Sequence, residues 1–309
     1  MSDCGNPQSM QAKPVMEPAP ILFGEVLFDC FEDGSRVLGG APFNVAWHLQ
    51  AFGCAPLFIS RVGDDSMGRE IRDTMRRWGM TTAGLQKDSV HGTGEVRVAL
   101  ADGQPSFDIV EDRAFDHIHV DALPPLQAAL IYHGSLGLRQ PQSAAAFERL
   151  LQIHSAPVFL DVNLRPPWWE QDQILKLLDR ARWVKINDDE LETLLPGPAD
   201  LQTKAELLKQ RHDLHWLVVT RGKQGAFAMD EEGIVYEVSP QAVKEVVDTV
   251  GAGDAFAAVC ILGILRNWST DLIMQRAQAF ASLLVSQRGA TIGDRGVYAR
   301  LLDAWQSIR

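Results

Sequence analysis

The run Ile21-Leu-Phe-Gly-Glu-Val-Leu-Phe-Asp29 is apolar and ends in a carboxylate. It reads as a buried strand with a functional residue at its carboxyl end. Gly39-Gly40-Ala41-Pro42 follows, and an apolar pattern then runs to Gly53. Pro42 suits the first turn of a helix and Gly53 its end. Residues 55–62 predict a strand and 66–78 a helix. Residues 95–100 and 106–110 alternate about Asp102-Gly103, a hairpin signal. In the second half, short apolar runs at 129–133, 157–162, 183–186 and 217–220 alternate with helical stretches near 143–153, 172–181 and 204–212. Such alternation predicts an α/β fold with a mostly parallel sheet covered on both faces. Ligands of such sheets gather beyond the carboxyl ends of the strands, where Asp29, Asp161, Asn163, Asn187 and Thr220 should fall. Three helices, at 252–265, 270–287 and 297–307, close the pattern. The first lacks a polar face and should be buried.

Composition narrows the partners. A net charge of -11 repels polyphosphate backbones, so nucleic acid is not expected as a partner. The apolar run at 252–265 is too short to span a bilayer, so no membrane association is expected. The four cysteines form no C-x-x-C pair and no Cys/His spacing of a zinc site, and they suit a cytoplasmic protein with buried thiols. His48, His133, His154 and His215 have no ligand spacing and read as structural. Residues 1–19 are polar and proline-rich without a signal-peptide core, and they are expected to form a disordered tail before one domain spanning 20–309.

The segment Asp248-Thr249-Val250-Gly251-Ala252-Gly253-Asp254-Ala255-Phe256 opens the apolar helix. Gly251 and Gly253 permit backbone angles and close approach that other residues resist. The amides of Gly251, Ala252, Gly253 and Asp254 would face open space along the helix axis, making an anion hole. Phosphoryl transfer needs such a hole, and it needs a base for the attacking hydroxyl. Asp254 stands beside the same turn, where the helix N-terminus favours its ionised form. Gly-Ala-Gly-Asp alone is equally a turn with a capping residue. The whole string, placed late in an α/β chain, is far more specific.

That string resembles the C-terminal signature of the ribokinase/fructokinase family of carbohydrate kinases, also called the PfkB family. Gly39-Gly40-Ala41-Pro42-Phe43-Asn44-Val45-Ala46 is similar to its N-terminal signature, and Arg61-Val62-Gly63-Asp64-Asp65-Ser66-Met67-Gly68 to the block after it. Asp161 to Arg165, Lys185 to Glu190 and Thr220 to Gly225 resemble later blocks in the right order. The resemblance covers nearly everything from Ile21 onward. It implies a ribokinase-like three-layer α/β/α fold with a small β-lid, at about 30–38 and 94–112.

By that resemblance, Asp254 is the catalytic base, and Gly251, Ala252 and Gly253 form the anion hole. Asp29, Gly39, Gly40, Asn44, Asn163 and Arg165 fall on the sugar side. Lys185, Asn187, Thr220, Gly222, Gly225 and Thr249 fall on the nucleotide side. ATP and Mg2+ are the implied cofactors, with Glu190 meeting the magnesium through water. Asp248 and residues 286–289 match a monovalent-cation site for K+. The lid implies a homodimer. The Gly24 to Asp29 start and the Gly-Gly-Ala-Pro form look most like fructokinases, which makes fructose the preferred sugar. Residues 108–117 depart from the aromatic-Tyr-Arg pattern of many fructokinases. Ribose, 2-keto-3-deoxygluconate and a nucleoside therefore stay open, as does a catalytically silent sugar sensor on the same fold.

Overall fold

The apolar runs in the sequence become the strands of one central sheet, and their flanking glycines set where the chain turns out of it. The computed structural model describes residues 18–101, 104–121, 123, 127–240 and 246–306. Its first half contains β1 (Ala19–Phe23), β2 (Leu27–Phe31), β3 (Arg36–Gly39), α1 (Ala41–Ala51), β4 (Leu57–Gly63), α2 (Ser66–Arg77), β5 (Leu85–Asp88), β6 (Gly94–Ala101) and β7 (Gln104–Ile109). Then come β8 (Ala128–His133), α3 (Pro141–Ile153), β9 (Val158–Asp161), α4 (Gln171–Leu178), β10 (Trp183–Asn187), α5 (Asp188–Leu194), α6 (Leu201–Arg211), β11 (Trp216–Thr220), β12 (Ala226–Met229) and β13 (Val235–Val238). The helices α7 (Ala252–Leu265), α8 (Thr270–Leu284) and α9 (Arg295–Gln306) follow. Residues 1–17, most of the expected tail, and the Asp102-Gly103 turn lie outside the described residues. Ala19, counted within that tail, already belongs to β1.

The large sheet runs β13-β12-β11-β10-β9-β8-β1-β4-β5. It is parallel from β11 to β5, and β12 and β13 extend it antiparallel. Alternation puts Leu22, Phe58, Tyr132 and Val218 on one face and Ile21, Ile59, Ile131 and Val219 on the other, all fully buried. The first face packs against α1, α7 and α8, and the second holds apolar residues of α3 to α6. Within α7, every residue from Ala255 to Gly263 is buried. A helix apolar all round is stable only when covered on all sides, and α1 and α8 lie against it.

One expectation is corrected. The run from Ile21 to Asp29 is two strands in two sheets. The chain leaves the large sheet at Gly24, which has φ 144°. A Cβ there would sit 2.7 Å from Cγ of Pro42. The chain then re-forms as β2 in a separate four-stranded sheet, β3-β2-β6-β7. Asp29 therefore belongs to this smaller sheet and not to the end of a core strand, and the sheet also takes in Leu27, Phe28 and Gly39, outside the bounds given for the lid. Leu27, Val96, Val98 and Ile109 of this sheet pack with Phe115 and Leu136.

Candidate active site

Parallel strands deliver their last residues to one edge, and the predicted site residues collect there. Asp161, Asn187 and Thr220 each end a strand, β9, β10 and β11 respectively. Asn163 and Arg165 follow β9. Gly39 and Gly40 lead into α1, and Gly251 leads into α7 with a left-handed φ of 80°. A Cβ on Gly251 would lie 2.5 Å from Cα of Ala290, so the turn has room for hydrogen alone. A Cβ on Gly40 would meet the Glu25 carbonyl oxygen at 2.7 Å. Both turns thus require glycine on steric grounds as well as for backbone angle.

Asp254 is the third residue of α7. Its Oδ2 accepts a 2.8 Å hydrogen bond from Nδ2 of Asn44, on α1. Burial raises the Asp254 carboxyl, and the Asn44 bond pulls it partly back; with the nearby Asp161 charge the pKa is pushed up to about 6. The first-turn amides of a helix lack intrahelical acceptors. Here the Ala252 N–H turns to the Thr249 carbonyl at 3.3 Å. Of the four amides expected to form the anion hole, that of Ala252 therefore already has an acceptor.

Lys185 was expected on the nucleotide side. It is 6% exposed, with Nζ donating to both carboxylate oxygens of Asp161 at 2.8 and 2.9 Å. A Cβ on Gly253 would meet this Nζ at 3.4 Å. Burial opposes the Lys185 charge, but the field and hydrogen bonds of Asp161 prevail and raise its pKa. The Tyr132 hydroxyl donates to Asp161 at 3.3 Å. A buried cation thus lies beside the first turn of α7.

Asn187 and Glu190 form a capping box at the start of α5. The Glu190 N–H donates to Asn187 Oδ1 at 2.8 Å, and the Asn187 N–H donates to Glu190 Oε2 at 2.9 Å. The Leu164 N–H takes the other Glu190 oxygen at 2.8 Å. Both carboxylate oxygens are therefore engaged by the backbone, and Glu190 is poorly placed to coordinate magnesium directly. Asp248 is engaged in a similar way, accepting from the N–H groups of Val250 at 2.9 Å and Gly289 at 3.0 Å. It ties the turn before α7 to the 286–289 segment.

Asp29 and Arg165, both expected on the sugar side, lie close enough to interact. Burial raises the Asp29 pKa and the Arg165 charge opposes it. Gly39 leaves open the space beside Asp29, since a Cβ there would come 3.7 Å from Oδ2. Thr220 ends β11, and Gly222 and Gly225 lie between β11 and β12. Gly225 has φ 87°, and its Cβ position falls on the Val238 carbonyl. A surface cavity of about 270 Å³ lined by Val238, Ser239, Gln275 and Gln278 adjoins this loop. No bond joins the loop to the Asp254 cluster among the described residues.

One residue of the cluster carried no assigned role in the sequence. Glu25 is 2% exposed, and its Oε2 has no hydrogen-bond partner among the described residues. Burial first, and then the Asp254 charge, push its pKa up to about 7 against the pull of Arg165. A carboxylate set inside an apolar strand run was the available signal.

Comparison with known proteins decides the family. A family model described as pfkB family carbohydrate kinase matches residues 29–295. The chain belongs to that family. Among curated PfkB relatives, the fructokinase of Salmonella typhimurium is 32% identical over 292 residues, spanning 87% of this chain and 94% of the relative. The fructokinase of Vibrio cholerae, solved with fructose, ADP and calcium ion, superposes with a TM-score of 0.77 at 25% identity over 92% of this chain and 99% of that one. The aminoimidazole riboside kinase of Salmonella enterica, solved with aminoimidazole riboside and an ATP analogue, gives 0.78 at 25% identity over the same shares. As a PfkB protein the chain is a phosphotransferase acting on a sugar hydroxyl, on a ribokinase-like fold.

Proposed function

We propose that the protein is an ATP-dependent fructokinase and that Asp254 is its base. The observation that carries this reading is the joint placement of Asp254, the Gly251 turn and Lys185 at one helix N-terminus. A sugar hydroxyl presented to Asp254 would lose its proton to the carboxylate as its oxygen attacks the γ-phosphorus. A base with a pKa of about 6 is ionised at neutral pH and still basic enough to share the proton in the transition state. Asn44 fixes the orientation of the carboxylate. The amides of Gly253 and Asp254, the α7 dipole and the Lys185 charge beneath would stabilise the transferring phosphoryl group.

Asp29 would accept sugar hydroxyls, with Gly39, Gly40, Asn163 and Arg165 around the same ligand. Thr220, Gly222, Gly225 and Thr249 would receive the nucleotide, with Asn187 at the edge of that site. Mg2+ would arrive with ATP, shielding its phosphates, and Glu190 would reach it only through water. Asp248 with residues 286–289 is the proposed K+ region. It would hold the ion chiefly through backbone carbonyls, because both Asp248 oxygens already accept N–H groups.

Fructose is favoured by the named relatives. Lid residues Phe31, Val37 and Phe107 are apolar and exposed, which supports a homodimer formed through the lid. Among the described residues no helix is long and apolar enough to cross a membrane. An ATP-using enzyme with free thiols fits the cytoplasm.

The test is ADP release across fructose, ribose, glucose, mannose, 2-keto-3-deoxygluconate and adenosine, with Mg2+ and with or without K+. Turnover of fructose at a kcat/KM of roughly 10⁴ M⁻¹s⁻¹ or more, above every other substrate, supports the reading. Preference for another sugar keeps the kinase and discards fructose. Silence across the panel with ATP still bound would favour the sensor.

A further inference from the structure

Away from this site, two loops bracket the lid hairpin. One enters β6 and carries His91. The other leaves β7 and carries Asp112 and His117. The loops are joined by the Ala114 N–H, which donates to the Gly92 carbonyl at 2.8 Å. Arg61 also bridges them, pairing with Asp88 at 2.8 Å and donating to the His117 carbonyl at 2.6 Å.

The side chains are arranged unusually for residues with no ligand. His91 Nδ1 is 3.0 Å from Oδ2 of Asp88, a residue 1% exposed. His117 Nδ1 is 2.8 Å from Oε1 of Gln142, whose amide nitrogen is 3.1 Å from Nε2 of His119. With Asp88 Oδ2 and Gln142 Oε1 as their acceptors, both Nδ1 atoms donate, and in the neutral rings each Nε2 keeps a lone pair. Both Nε2 atoms point to one carboxylate oxygen, Asp112 Oδ1, at 3.6 Å from His91 and 2.8 Å from His117. Asp112 reaches this position from a left-handed backbone, φ 53°. Three acceptors thus converge, with ligand atoms all within 4.8 Å of one another.

We propose that His91, Asp112 and His117 bind a divalent transition ion of the zinc type. Without an ion, burial opposes a charge on His117 but its bonds to Gln142 and Asp112 raise its pKa, so a proton on that ring serves the 2.8 Å contact and still leaves His91 Nε2 3.6 Å from the same oxygen. One metal ion would engage all three groups at once. Ligand atoms about 3.3 Å apart suit tetrahedral bonds of about 2 Å, and the 2.8 and 3.6 Å separations from Asp112 Oδ1 bracket that value. The contacts of Asp88 and Gln142 to the far ring nitrogens are the outer partners that metal-bound histidines use to fix their tautomer. Imidazole selects zinc-type ions over the magnesium that accompanies ATP. The rings lie at 13° to one another, so loading tilts one out of the stack. Side-chain exposures of 23% and 21% for His91 and His117 leave room for this. A bound ion would fasten the chain entering the lid hairpin to the chain leaving it.

The test uses the full chain, stripped with chelator and free of nucleotide. Zn2+ is titrated in competition with a chromophoric chelator, and Co2+ is followed by its visible absorption, which needs no variant. One ion bound per chain, with Co2+ bands of a nitrogen and oxygen site, is expected. His91→Ala and His117→Ala should each weaken binding at least about tenfold, while His154→Ala, away from this cluster, should leave it unchanged. Thermal melts without metal establish that the variants are folded. Absence of stoichiometric binding by the wild-type chain, or binding that survives the folded double variant, would overturn the assignment.

Discussion

Asn44 and Asp254 lie 210 positions apart in the chain and are joined by a 2.8 Å hydrogen bond from amide to carboxylate. The bond links the first turns of α1 and α7, the two glycine-led helices of the site. Because it stabilises the ionised carboxylate, it lowers the Asp254 pKa that burial raises. Asn44→Ala should therefore move the acidic limb of the kcat/KM profile to higher pH. A hydrogen bond to a charged group is worth roughly 1.5 kcal/mol or more, so the move should be about one pH unit. The profile measured from pH 5 to 9 checks this, and an unshifted limb would detach Asn44 from the base.

Asp254→Asn keeps the shape and the Asn44 neighbour but removes the proton acceptor. Turnover should fall roughly 10²-fold or more while sugar binding survives. Steady-state kinetics beside calorimetric sugar binding separate the two. Near-normal kcat would remove Asp254 from the role of base.

Glu25 makes a stability prediction with a definite sign. The native state keeps its proton up to about pH 7, whereas an unperturbed carboxyl releases it near 4.5. Between these values the native state binds more protons than the unfolded chain, so stability falls as pH rises through the window. The full penalty, of order 3 kcal/mol, is present above the upper value. Glu25→Gln should thus stabilise the protein at pH 8 by about 1–3 kcal/mol, with the gain vanishing below pH 4.5. Denaturant unfolding at both pH values reads it directly.

The Asp161–Lys185 pair should behave as a unit. Lys185→Met leaves Asp161 buried without its cation and should cost about 3–5 kcal/mol. Adding Asp161→Leu removes the stranded charge and should recover much of that stability, although not activity. A double-mutant cycle in denaturant measures the coupling.

How much of this was legible depended on whether a residue's role was local. Strand periodicity and the glycine-rich string placed β8 to β11, the three closing helices and the Gly251 turn before α7 correctly. The break at Gly24 was hidden, because an apolar run looks the same whether it stays in one sheet or crosses into another. Its cause is steric, in the packing of Gly24 against Pro42. Helix α5 and the β12–β13 hairpin were too short to show a period. Lys185 carried no sign in the sequence that Asp161, rather than a nucleotide, would hold its charge. Glu25 stood in plain view, yet its unpartnered oxygen is a property of the folded surroundings alone.

The crossing at Gly24 has a mechanical consequence. Asp29 belongs to the smaller sheet, whereas Asp254 opens a helix enclosed by the core. Only three residues, Gly24 to Val26, separate the strand of one sheet from the strand of the other, and Glu25 and Val26 are buried. On the roles proposed for these residues, the group that holds the sugar and the group that deprotonates it stand on separate layers, and this short buried joint sets the distance between them.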